Sequence, residues 1–129
     1  MYNYSLLIPM HRSERFLSNI KAVIDSHLEH DCGFLLSDQH MLDEALPALR
    51  SEYGESQRFR YFSSSNELNW VENINLLINH CHSEYFRIAP HDDFTTGQQS
   101  DELLQCLQHH ESAVVATGPY EIERMDDPS

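Results

Sequence analysis

Two adjacent carboxylates, Asp92 and Asp93, follow the apolar run Tyr85-Phe86-Arg87-Ile88-Ala89 and the break Pro90-His91. Neighbouring acids repel each other, so a pair at the tip of a buried strand suits a site where a cation meets them. Hard divalent cations take oxygen ligands and keep waters and phosphate oxygens in their shell, so one or two carboxylates suffice. In open α/β sheets ligands bind outside the carboxyl ends of the strands. Asp92-Asp93 is therefore read as the metal-and-phosphate end of a site. The competing reading is a solvated acidic turn.

Other residues that could do chemistry are weaker. The nine histidines include His80-x-His82 and His109-His110, which lack the spacing of a closed metal site and read as surface residues. Arg12 and Arg15 stand where a helix would begin. The dipole disfavours cations there, so they are neutral surface residues or anion contacts. Asp31, Asp43, Glu44 and the Asp126-Asp127 pair read as solvated charge. The three cysteines, Cys32, Cys81 and Cys106, form no CxxC pair and suit free buried thiols in a reducing compartment.

The elements that must position these residues fit one domain. At 129 residues, 40% hydrophobic and 22% charged, the chain can bury a core. Its net charge of −13 repels phosphate backbones and anionic membranes, which argues against nucleic acid as a partner. No leader pattern and no apolar run of about 20 residues occurs, so the expected location is cytoplasmic, with no transmembrane segment.

Tyr4–Ile8, closed by Pro9, reads as a first buried strand. Ser13 would cap a helix carrying Phe16, Leu17, Ile20, Val23, Ile24 and Leu28. Cys32–Leu36 is a second strand, ending in Ser37-Asp38. A helix over 41–53 follows, with Pro47 as a kink or restart and Gly54 as its stop. Arg58–Phe62 alternates basic and aromatic residues, as an edge strand does. The next helix presents Trp70, Ile74, Leu77, Ile78 and Cys81, with Trp70 as its core anchor. Asn66, Asn69, Asn73 and Asn75 crowd its start, more asparagines than capping needs. After the strand before Asp92 come a helix over 99–110 and a last strand over 112–117. Gly118-Pro119 stops that strand, 120–122 extends it or begins another, the domain spans 1–122, and 123–129 is a frayed, disordered tail. Apolar strands alternating with amphipathic helices imply a mainly parallel sheet with helices on both faces.

With these elements placed, the chain resembles the N-terminal, nucleotide-sugar-binding half of a family 2 glycosyltransferase of the GT-A, Rossmann-like fold, truncated after about the fifth strand. Four stretches carry the resemblance: Ser5-Leu6-Leu7-Ile8-Pro9-Met10-His11, Phe34-Leu35-Leu36-Ser37-Asp38, Asn66 with Asn69-Trp70-Val71-Glu72-Asn73-Ile74-Asn75, and Glu84 through Asp93. The last is similar to the family's GEY…DxDD segment. The resemblance implies that Pro9, Met10 and His11 line the nucleotide pocket. It sets Asp38 against the base, His91 near the ribose and Asp92 on Mg²⁺ or Mn²⁺, with Asp93 supporting metal or sugar. A UDP-sugar is the implied donor, transferred to a sugar or glycan acceptor that the sequence does not identify.

Two departures stand out. Pro90 occupies the place of the first Asp of DxD, and Ser37 replaces the first acid of the pair after the second strand. Family members also continue into an acceptor half that supplies the catalytic base, and no residue here is assigned that role. The chain thus reads as a glycosyltransferase domain incomplete by itself. The alternative is a catalytically silent nucleotide-sugar-binding or interaction module. An exposed face where a second half would pack favours poor solubility or a homo-oligomer. A phosphorelay receiver is disfavoured because the first strand ends in Pro-Met-His and no Lys follows Lys21.

Overall fold

A computed structural model describes residues 2–39, 44–64 and 66–118. The described chain runs β1 (Tyr4–Met10), a 3-10 turn (Glu14–Phe16), α1 (Leu17–His27), β2 (Cys32–Asp38) and α2 (Ala45–Tyr53). It continues with β3 (Phe59–Ser63), α3 (Trp70–His80), β4 (Tyr85–Ile88) and α4 (Gly97–His109). The four strands form one parallel sheet in the order β3-β2-β1-β4.

Strand alternation sorts the core into two faces. Tyr4, Leu6, Ile8 and Met10 of β1 join Phe34 and Leu36 of β2 and Phe59 and Tyr61 of β3 in the larger cluster. That face is covered by Ile20, Val23 and Ile24 of α1, Ala45, Leu46 and Leu49 of α2, and Leu104 of α4. Leu7 and Leu35 point the other way and meet Leu77 of α3. The chain steps from β1 to β2 to β3 with helices on one face. It then crosses back to β4 with α3 on the other, as right-handed crossovers require when the direction reverses.

Pro9 sits inside β1 and decides where the sheet opens. Gln39 N–H donates to the Met10 carbonyl, so the even residues of β1 bond toward β2. Ala89 N–H donates to the Leu7 carbonyl at 2.8 Å, so the odd residues bond toward β4. The next rung on that side would need a donor at residue 9, and proline has none. The β1–β4 ladder therefore stops there, and the two chains part.

Several expectations from the sequence are corrected. Residues 112–117 are not a fifth strand: Val114 is 89% and Val115 73% exposed. An apolar run inclines toward β structure, but only a neighbouring strand completes its ladder, and this run joins none. Its continuation through Ile122 and the tail 123–129 lie outside the described residues. Trp70 is not a core anchor: it is 63% exposed, while Asn73 and Leu77, four residues apart, face the sheet. Ser13 precedes the 3-10 turn without a side-chain cap. Pro47 does not kink α2, because it stands in the first turn, where backbone N–H groups lack helical partners anyway. Residues 41–43, expected to start that helix, lie outside the described residues. All three cysteines are free, but Cys106 is exposed. Burial pushes the Cys32 thiol up to about 12, so it stays protonated and inert.

A buried polar chain docks α4 on α1. Arg87 Nη1 donates to Ser100 Oγ at 2.9 Å, and the Ser100 hydroxyl donates to His27 Nε2 at 2.8 Å. His27 Nδ1–H in turn donates to the Val23 carbonyl at 2.7 Å. This order requires neutral imidazole. Burial, with the Arg87 charge nearby, holds the His27 pKa below its ordinary value. In the unfolded chain His27 takes up a proton at about pH 6.5. The unfolded state therefore binds more protons below that pH, and stability falls as the pH drops through that value toward the depressed folded one. We expect His27→Gln to be less stable at pH 8 but to lose part of the wild-type decline in Tm between pH 7 and 5. Parallel Tm–pH curves for the two proteins would count against this role for His27.

Candidate functional site

Reversal of strand order beside β1 makes a switch point at the carboxyl ends of β1 and β4, the place where open α/β sheets bind ligands. Pro9 and Pro90 stand at its two lips. Beyond Pro9 the chain turns sharply through Arg12, whose φ of 48° is the one positive value at a non-glycine among the described residues. Such a conformation is disfavoured for a residue with a Cβ and persists only where its surroundings enforce it.

Ser13 joins the two strand tips. Its hydroxyl oxygen accepts from the His11 backbone N–H at 3.0 Å and lies 2.5 Å from His91 Nδ1. The His91 ring stacks on Phe16, with centroids 4.3 Å apart. Arg15 lies over the same Phe16 ring, its Cζ 4.7 Å from the centroid. Four groups able to carry positive charge thus belong to the first of these segments or the facing turn: His11, Arg12, Arg15 and His91. Glu14, Asp92 and Asp93 lie in the same segments, so two arginines face three acids, and an anion here needs a cation beside the carboxylates.

Pro90–Asp93 forms a turn closed by Asp93 N–H to the Pro90 carbonyl at 3.1 Å. Asp92 and Asp93 are exposed on it. Asn19, from the first turns of α1, grips this turn: its Nδ2 donates at 2.9 Å to the carbonyls of both His91 and Asp93. The sequence does not single out Asn19, because a polar residue in a helix is the ordinary solvent-facing choice.

On the other side of β1, Met10 pairs in register with Asp38, and Asp38 with Ser63. Asp38 is 2% exposed at the end of β2. The Met10 side chain is in the core, so what this residue offers the site is its main chain. Its carbonyl accepts from Gln39 N–H and from Asn73 Nδ2 at 3.2 Å. Asn73 Oδ1 accepts from the Ser37 hydroxyl at 2.5 Å. One buried amide from α3 therefore ties the tips of β1 and β2. Of the four asparagines noted in the sequence, Asn69 caps α3 in a reciprocal box with Glu72, and Asn73 is this tie. Asn66 and Asn75 are exposed.

Among the described residues no three His, Cys, Asp or Glu side chains converge as a closed metal site. Asp92 and Asp93 offer hard oxygen donors at an open position. That set fits a Mg²⁺ or Mn²⁺ ion completed by water and ligand phosphate, and does not fit a structural zinc. A separate groove of about 550 Å³ lies between the end of β3 and α3, lined mainly by Phe62, Ser63, Asn75, Asn79 and His80. It shares no residue with the switch point.

The fold has solved counterparts. Residues covering 84% of the chain superpose on S. aureus TarS, a GT-A-type glycosyltransferase. The TM-score is 0.70 both for its fragment 1–349 and for the longer TarS chain. Sequence identity is 13% in each case, so the likeness is one of fold alone. This chain spans 33% of the TarS fragment and 20% of the longer chain. No protein-family model and no curated protein sequence matches it. No helix among the described residues is long and apolar enough to cross a membrane.

Proposed function

We propose that this chain is the donor-binding part of a glycosyltransferase, taking a nucleotide-diphosphate sugar, of which a UDP-sugar is the first choice, at the β1–β4 switch point. The observation that carries the reading is the meeting of the two strand tips there. Ser13 connects His11 to His91, and the turn bearing Asp92 and Asp93 follows directly. The GT-A-type fold supports it.

In this reading Asp92, supported by Asp93, would hold Mg²⁺ or Mn²⁺. Such an ion, when bound, supplies Lewis-acid neutralisation of the departing diphosphate. The chain's own residues orient the donor. Pro9 and the Met10 main chain border the nucleotide, His11 and His91 face the ribose and phosphates, and Asp38 meets the base. Transfer to a sugar or glycan hydroxyl, in the cytoplasm, completes the proposal, with the acceptor and general base supplied outside these residues. The second reading is a catalytically silent nucleotide-sugar-binding or interaction module, which the exposed Trp70, Phe86 and Phe94 would suit.

Calorimetric titration with UDP, with and without Mn²⁺, tests this. Metal-dependent binding is expected. Asp92→Asn should weaken the metal-dependent component about 100-fold, equivalent to about 2.8 kcal/mol. The fold should be untouched, because Asp92 is exposed. Equal binding by the variant, with the same metal dependence, would remove Asp92 from the site. No binding of UDP or other nucleotide diphosphates by the wild type would leave the interaction-module reading.

A further inference from the structure

We propose that Asn19 is a positioning residue of the donor site, acting on the bound cation through the main chain of residues 91–93. The inference rests on the donor-site reading above. Only an amide NH₂ can donate to two carbonyls, so the chemistry fixes the Asn19 orientation. Its two N–H groups go to the carbonyls on either side of Asp92, at 2.9 Å each. The turn's own bond, Asp93 N–H to Pro90, closes the same four residues. Ser13 and Phe16 hold the His91 side chain from the same 3-10 and α1 segment. The short turn is thus anchored to Asn19 of α1 at its central peptide and at the peptide that leaves it.

Two consequences follow. The Asp92 Cα is fixed relative to β1, although its carboxylate stands in solvent. The His91 and Asp93 carbonyls are also engaged by Asn19, and the Pro90 carbonyl by Asp93 N–H, so the oxygens the turn offers a cation are the two carboxylates and the Asp92 carbonyl. A hard ion held by two carboxylates needs oxygens from water and diphosphate for the rest of its shell. Asn19 therefore bears on metal affinity within the nucleotide complex. It leaves the base contact on the β2 side alone, and the His91 ring, which faces the ribose in this reading, keeps its own hold on Ser13 and Phe16.

The experiment uses the full chain. Mn²⁺ is titrated in the presence of saturating UDP and followed by electron paramagnetic resonance, for wild type, Asn19→Ala and Asn19→Asp. Uridine affinity is measured alongside, and amide exchange is followed at Asp93. Alanine is a better helix former than asparagine, so α1 persists in the first variant. Asn19→Asp keeps the size but turns carboxylate oxygens toward two carbonyls. The expected result is Mn²⁺ affinity about tenfold weaker in Asn19→Ala, as loss of two modest hydrogen bonds predicts. It should be weaker still in Asn19→Asp, with faster exchange at Asp93 and unchanged uridine affinity. Unchanged Mn²⁺ affinity overturns the positioning role, whether or not exchange at Asp93 rises. An equal loss of uridine affinity also overturns it, since that would mark a general structural effect. Failure of wild type to bind UDP, with or without Mn²⁺, overturns the donor-site reading and this inference with it.

Discussion

Asn73→Ala is expected to cost about 2–4 kcal/mol of stability, the sum of an unpaired buried hydroxyl and a small cavity. The residue is 1% exposed and Ser37 is fully buried. Removing the amide strands the Ser37 hydroxyl, which has no water to turn to. The Met10 carbonyl keeps its bond from Gln39 N–H, so its loss is partial. The asymmetry between losing one partner and losing both gives a sharp test. Ser37→Ala in the Asn73→Ala background should cost little more, because the orphaned hydroxyl goes as well. A double-mutant cycle by urea unfolding should return a coupling of about 1–2 kcal/mol. Independent, additive losses would mean that the amide does not tie the two strands. Nucleotide affinity should fall with the first substitution, since the tips of β1 and β2 flank the proposed base pocket.

Gly97→Ala is expected to meet the tightest contacts of any Gly→Ala change in the chain. A Cβ at this position would lie 2.5 Å from the Ser26 carbonyl oxygen and closer still to the His30 ring. The ring can swing away, but the carbonyl belongs to α1 and cannot. Gly97 N–H also donates to Ser26 Oγ at 3.0 Å, which holds α4 at that close approach. Gly97 is the first residue of α4, where alanine gains only a fraction of the roughly 1 kcal/mol of interior helix propensity. Overpacking typically costs about 1–3 kcal/mol. Displacing α4 also strains the contacts beyond it, His30 with Asp101 at 2.6 Å and Ser100 with His27 and Arg87. Overpacking should therefore win, for a net loss of about 1–3 kcal/mol. The check is thermal unfolding, together with the His27 ring signal by NMR, which should move as its Ser100 bond breaks. A variant as stable as wild type, with that signal unchanged, would show that α4 can slide without loss. The switch point is held from α1, so nucleotide binding should survive in the folded fraction.

Local patterning determined a good deal by itself. Apolar runs at 4–8, 32–36 and 85–89 and the basic-aromatic alternation at 58–62, separated by helical spacings, marked the four strands and implied a parallel sheet. The position of Asp92 and Asp93 just past a strand placed them beyond the carboxyl end of β4. Pro9 after Tyr4–Ile8 read as the end of the first strand, but the strand runs on to Met10 paired with β2, and only its ladder to β4 stops there. These features are legible because strand and helix periods, and the missing N–H of proline, act over a few residues.

Tertiary structure alone decided the rest. The run at 112–117 has a strand's composition but no partner, and a hydrogen-bond ladder cannot be read from one chain segment. Trp70 has an anchor's chemistry and lies on the same face of α3 as Leu77, but it is the helix's first residue and stays exposed, while Asn73 and Leu77 meet the sheet. Ser13 looked like a helix cap and instead bridges residues 11 and 91, a separation that no spacing rule spans. The same holds for Asn19 and the turn at 91–93. A side chain's hydrogen-bond partner is chosen by what the fold brings within 3 Å of it, and that choice is invisible until the strands are in order.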